Sequence, residues 1–222
     1  MRSVAAPPTR VLLLIHGFKG DENSMWVFAR DLPGDYLLVA PRAPYAVSDG
    51  GFSWREPPEE VAGLDQDSEK ANAGFVLSAD DSSTLPSLAM FEPAVNRLLE
   101  FVDSFGGSRG VDTTQFDVMG FSQGGVMTSL LALLHPDRVR KAAVLAGFLP
   151  RHVEPLIASR PLVEKSIFVT HGTSDDRVPP ELARRSIALL EQAGAKVTYC
   201  EDDVGHKVSS TCLRALKAYL QD

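Results

Sequence analysis

Cysteine is scarce in this chain: 222 residues contain two, Cys200 and Cys212, with no metal-ligand spacing between them. The pair therefore reads as two reduced, partly buried thiols, and a cytoplasmic protein is expected. Long apolar runs are lacking as well. No stretch approaches the ~18 apolar residues of a membrane span, so stable membrane insertion is not expected. The first sustained run, Val11–Ile15, is five residues long and has neither the length nor the cleavage site of a secretory signal. Basic clusters are missing too: 29 Asp and Glu against 22 Lys and Arg give a net charge of −7 spread along the chain. Phosphate backbones are bound by grouped Lys and Arg, so nucleic acid is not expected as a partner. Neither an internal repeat nor a low-complexity tract is visible.

What is present is ordinary globular material, 44% hydrophobic and 23% charged, enough for one core and one domain over residues 1–222. Six short apolar runs stand out: VLLLI (11–15), YLLVA (36–40), FDVMG (116–120), AAVLA (142–146), IFVTH (167–171) and VTYCE (197–201). Most are continuous rather than alternating, as in strands buried on both faces of a parallel sheet. Helical patterns lie between them, over about 22–32, 87–105, 123–135, 181–193 and 209–220. The fourth is introduced by Pro179 and Pro180 and followed by Gly194, the usual start and stop chemistry. Strands alternating with helices imply an α/β class with a mostly parallel sheet of about six or seven strands and helices on both faces. Residues 41–86, rich in Pro, Gly, Ser and Asp, break the rhythm. So long an irregular stretch in a compact domain points to function. It is expected to form part of a substrate pocket, with Phe52 and Trp54 as apolar contacts.

Gly120-Phe121-Ser122-Gln123-Gly124 follows a predicted strand and opens a predicted helix. In that setting G-x-S-x-G is a nucleophile elbow: a strained turn that pushes the serine hydroxyl out at the end of the sheet. A serine needs a base, and the base needs an orienting acid, in the chain order Ser, Asp or Glu, His. His135, His152, His171 and His206 lie downstream. His206, between the last predicted strand and the last helix, is the expected base. The acid is expected after the preceding strand, where HGTSDDRVP offers Asp175 and Asp176. An oxyanion hole requires two backbone N–H groups. Gln123, just after the nucleophile, supplies one, and Phe18 in IHGFKGDEN, after the first strand, supplies the other. His16 precedes Ser122 and reads as a brace for that loop.

HGFKGDE, GFSQGG, HGTSDDRVP and the Gly205-His206 pair, with PRAPYA (41–46) and AGFLP (146–150), resemble the phospholipase/carboxylesterase family of α/β-hydrolases, which includes acyl-protein thioesterases and many bacterial carboxylesterases. The likeness covers about residues 10–220. It implies an α/β-hydrolase fold and selects Asp175, three residues after the glycine of HG-x-x-D, as the acid. It also implies Phe18 and Gln123 as oxyanion donors, an acyl ester or thioester substrate, and no metal or organic cofactor. Lys19 is an added residue in the early loop. The antiparallel strands that usually open this fold are expected to be missing, and residues 55–86 look longer than the matching family segment. The expected activity is ester hydrolysis through an acyl-enzyme. Lysophospholipase or peptidase action, or ligand sensing without turnover, are the rival readings.

Overall fold

Each of the six apolar runs becomes a strand of one sheet. The computed structural model describes residues 10–30, 32–56, 77–78 and 82–221. The sheet strands are β1 (Arg10–Ile15), β2 (Tyr36–Val39), β5 (Phe116–Phe121), β6 (Val139–Leu145), β7 (Ser166–Gly172) and β8 (Lys196–Asp202). They run in the order β2-β1-β5-β6-β7-β8 with every neighbouring pair parallel. No antiparallel strand joins this sheet among the described residues. The helices are α1 (Glu92–Arg109), α2 (Gln123–Leu134), α3 (Glu154–Ala158), α4 (Pro180–Gln192) and α5 (Ser210–Gln221).

Strand β1 shows why the runs are continuous. Val11, Leu13 and Ile15 enter a core shared with Val95 and Leu98 of α1, Leu130 of α2 and Leu182 of α4. Leu12 and Leu14 enter the opposite core with Leu216 and Leu220 of α5. Both faces are covered, so every position must be apolar. The chain leaves β1 for β2 on one side and returns to β5 on the other. This reversal opens a crevice at the carboxyl ends of β1 and β5, where α/β sheets bind ligands. At the amino ends the sheet is pinned by Asp117, which is fully buried. Its carboxylate accepts from Arg140 Nε at 2.8 Å and Nη2 at 2.7 Å, from the Lys141 amide and from the Tyr36 hydroxyl.

Several expectations need correction. The helix expected over 22–32 is a single 3-10 turn, Ser24–Val27; Asp21 accepts from the Asn23 amide and the Ser24 hydroxyl, a local alternative to helix, and Asp31 lies outside the described residues. Helix α1 starts at Glu92, five residues later than expected, and runs on through Gly106 and Gly107 to Gly110, whose φ of 64° ends it. Helix α3 was not expected from the sequence. Within 41–86 there is a short antiparallel hairpin, β3 (Tyr45–Ala46) with β4 (Phe52–Ser53). Residues 57–76 and 79–81 of that segment lie outside the described residues.

The reading of Cys200 and Cys212 as reduced thiols is overturned: they form a disulfide. Strand β8 and helix α5 fold back on each other, bringing the two Cα atoms to 5.6 Å across a separation of 12 residues. The ground for expecting a cytoplasmic location goes with it, because disulfides persist in oxidising compartments. No helix among the described residues is long and apolar enough to cross a membrane.

Candidate active site

The turn from β5 into α2 carries Ser122 at φ 55°, ψ −117°, a conformation that L side chains rarely adopt. It is held from both sides. The Ser122 amide donates to Leu145 O at 2.8 Å, and its carbonyl accepts from the Gly125 amide at 2.8 Å. The flanking glycines are forced by space: a Cβ at Gly120 would lie 2.1 Å from Gly124 O, and one at Gly124 2.0 Å from Ile15 O. Helix α2 thus packs against the end of β1, with every residue from Gln123 to Leu133 buried.

Three side chains from separate loops meet at the carboxyl edge. His206, on the linker between β8 and α5, places Nε2 2.9 Å from Ser122 Oγ and Nδ1 2.7 Å from Asp175 Oδ2. A carboxylate only accepts, so Nδ1 carries the hydrogen and Nε2 presents its lone pair to the serine hydroxyl. Asp175 follows β7 and is 5% exposed, and its Oδ1 accepts from the amides of Arg177 (3.0 Å) and Val178 (2.9 Å). Burial alone would raise its pKa, but hydrogen bonds from His171, His206 and the Val178 amide outweigh it and hold the carboxyl well below the usual range. Asp176 is exposed, and it is Asp175 that meets His206. The imidazole of His206 rests on Phe121, ring centroids 5.0 Å apart, and Phe121 stacks on Phe28.

The loop after β1 lies directly over the elbow: a Cβ on Gly17 would sit 3.3 Å from Ser122 Cβ. Around Phe18 it is fixed by backbone pairing with β4, through Lys19 N–H to Phe52 O (2.9 Å) and Phe52 N–H to Gly20 O (3.0 Å). Lys19, the added residue, takes a φ of 60° and pairs with Asp49 of the hairpin. His16 is fully buried; its Nε2 accepts from the Ala43 amide at 3.1 Å and its Nδ1 donates to Gly17 O at 2.7 Å. Burial lowers its pKa, in keeping with a neutral ring that accepts at Nε2. The structure therefore places it as a brace.

Trp54 is not on a pocket wall. It is 1% exposed, in the core, and its indole N–H donates to His16 O at 2.8 Å. Phe52 is half-buried beneath the Arg42 guanidinium, 4.7 Å from the ring centroid. The side chain of Gln123 has a part that the sequence does not signal. Its Oε1 accepts from the Trp54 amide at 2.8 Å, and its Nε2 donates to Ser53 Oγ at 3.2 Å. Gln123 thus ties the elbow to the hairpin that pairs with the Phe18 loop. His135 and His152 take no part in this cluster; His135 ends α2. Among the described residues no group of three or more His, Cys, Asp or Glu could hold a metal ion.

The family model described as Phospholipase/Carboxylesterase matches residues 2–222. Carboxylesterase SOBER1 of Arabidopsis thaliana is 27% identical over 117 residues, covering 51% of this chain and 51% of that protein. Acyl-protein thioesterase 1 of Emericella nidulans is 24% identical over 196 residues, covering 84% and 77%. The chain spans about half the length of the first curated relatives it matches. Among solved structures, esterase PE8 superimposes with a TM-score of 0.74 at 22% identity over 100% of this chain and 95% of that one. SOBER1 does so at 0.74 and 20% identity, over 96% and 97%. At these identities the likeness of structures establishes the α/β-hydrolase fold.

Proposed function

The chain belongs to the phospholipase/carboxylesterase family, and we propose that it hydrolyses small carboxylic esters, thioesters included, through a covalent acyl-serine. The observation that carries this reading is the continuous relay from Asp175 Oδ2 to His206 Nδ1 (2.7 Å) and from His206 Nε2 to Ser122 Oγ (2.9 Å). In this mechanism Ser122 attacks the acyl carbonyl while His206 Nε2 takes its proton. The same proton passes to the leaving alcohol or thiol as the tetrahedral intermediate collapses. Asp175 keeps the imidazole in the tautomer that accepts at Nε2 and stabilises the imidazolium. Water, activated by His206, then attacks the acyl-serine and releases the acid. The N–H groups of Phe18 and Gln123 hold the oxyanion at the crevice between β1 and β5. Each such donor is worth about 3–4 kcal/mol in the transition state. No redox or electron-carrying group enters these steps.

The test is a panel of p-nitrophenyl esters and acyl thioesters of increasing chain length, run with wild type and Ser122→Ala, beside labelling by a fluorophosphonate. Wild type is expected to turn over at least one class and to be labelled, and Ser122→Ala to do neither. Equal turnover by the variant would refute the assignment. Saturable ligand binding by the wild type with no turnover would favour a sensor instead.

A further inference from the structure

We propose that His171 is a positioning residue that fixes the carboxylate of Asp175 from the sheet, a role that rests on the mechanism above and goes beyond it. His171 lies in β7 with its side chain fully buried. Its Nε2 is 2.8 Å from Val178 O and 3.3 Å from Asp175 Oδ2. A carbonyl oxygen only accepts, so Nε2 carries the hydrogen and donates it to Val178 O, with Asp175 Oδ2 beside it at ion-pair distance. Nδ1 is then a bare lone pair, and among the described residues it has no hydrogen-bond partner. A buried nitrogen without a partner is unfavourable, and an apolar side chain of similar size would avoid the cost. The imidazole is explained by what Nε2 does.

Its placement makes that role specific. Oδ1 of Asp175 is taken by the amides of Arg177 and Val178, and Oδ2 accepts from His206 and lies 3.3 Å from His171 Nε2. Of these four neighbours only His171 belongs to the sheet; the others lie on the loops that follow β7 and β8. The same Nε2–H bonds Val178 O, while the Val178 amide bonds Oδ1, so the imidazole closes the turn from 171 to 178 around the carboxylate. Without it, the carboxylate could rotate about its Cβ–Cγ bond and carry Oδ2 away from His206. A carboxylate turned away from His206 would stabilise its protonated form less. The ionisable groups beside His171 are Asp175, His206 through it, and Glu201 opposite on β8.

The experiment compares His171→Phe, which keeps ring volume and removes the donor, with His171→Gln, whose side-chain N–H can reach the place of Nε2. Ser122→Ala is run alongside. For His171→Phe, kcat is expected to fall about tenfold, the effect of one ordinary hydrogen bond at the strong end of its net range. KM should stay near its wild-type value, and the acid limb of kcat/KM should move to lower pH. His171→Gln should recover most of kcat and return the limb. A folded His171→Phe with wild-type kcat and an unmoved limb would overturn the proposal. So would a fall in kcat with no movement of the limb and no recovery in His171→Gln, the pattern of a packing role. If His171→Phe does not fold, His171→Gln decides alone: near-wild-type kcat supports the proposal, and a tenfold loss with an unmoved limb overturns it. Turnover surviving in Ser122→Ala would instead bring down the hydrolase reading itself.

Discussion

Reduction of the Cys200–Cys212 disulfide should cost stability and leave the chemistry intact. The bond joins β8 to α5, the two elements that flank the linker carrying His206, and closes a loop of 12 residues' separation. Cross-linking a loop of that size removes about 3 kcal/mol of conformational entropy from the unfolded chain. For a domain of this size each kcal/mol moves the thermal midpoint by about 2–4 °C, so reduction should lower Tm by about 6–12 °C. The folded linker has other anchors. Thr173 N–H donates to Asp202 O at 3.0 Å, Ser174 N–H to Val204 O at 3.1 Å, and the Ser174 hydroxyl to Asp203 Oδ1 at 2.7 Å. His206 itself is held by Asp175. Ester turnover well below the midpoint should therefore survive reduction. The assay is a pair of melting curves, oxidised and fully reduced, with thiols counted under denaturing conditions, and kcat measured on both forms at 25 °C. An unchanged midpoint after complete reduction would refute the loop-closure argument. Loss of kcat at 25 °C in a folded, reduced protein would show that the bond, rather than these hydrogen bonds, sets the position of His206.

Two further predictions concern the same corner. Gly172→Ala would place a Cβ 2.1 Å from Val204 O and 2.4 Å from Gly205 O, so the linker must move outward; kcat should fall by more than tenfold, beyond any loss of Tm, and a variant with wild-type kcat would contradict the geometry. The folded-state pKa of Asp175 is depressed below that of an unfolded aspartate, about 3.9. Its contribution to stability is thus present above that value and is lost as pH falls through the lower folded value. Wild type should lose Tm more steeply than Asp175→Asn below about pH 4–5, and parallel curves would refute the assignment.

The parts of this architecture that the sequence declares are those in which local pattern and burial coincide. β1, β5, β6 and β7 are covered on both faces, so their residues form apolar runs that cannot be mistaken for loop. Ser122 and His206 are legible because strand, glycine spacing and chain order agree. Other features depend on contacts between distant residues. The hairpin strands Tyr45–Ala46 and Phe52–Ser53 are two residues each, too short to show a period. Trp54 looks like a surface aromatic within a polar segment until its indole is seen against His16. The amide of Gln123 meets residues 53 and 54 about seventy positions away, and nothing near residue 123 announces it. The cysteine pairing is hidden because one half lies near the end of β8 and the other in the first turn of α5, with the linker that carries His206 between them.

The strand order explains why the site has two kinds of support. The proposed nucleophile and both expected oxyanion donors follow β1 and β5, which are neighbours, so short contacts suffice: the backbone of Ser122 to that of Leu145, the Phe18 loop to β4, and the side-chain amide of Gln123 to Ser53 and Trp54. The proposed base is a different problem. Its linker follows β8, three strands beyond β5 and therefore about 14 Å from the nucleophile at the usual strand spacing. The linker must cross back over the ends of β7 and β6 to bring His206 to Ser122. Crossing β7 requires a flat surface, which Gly172 provides by letting the Val204 and Gly205 carbonyls rest on its Cα. It also requires a fixed point midway, and Asp175, at the end of β7, is that point. On this view Asp175 does more than orient an imidazole; it is the pier on which the linker lands. The hydrogen bonds gathered on it from Arg177, Val178 and His206, with His171 close behind, keep that pier from turning under load.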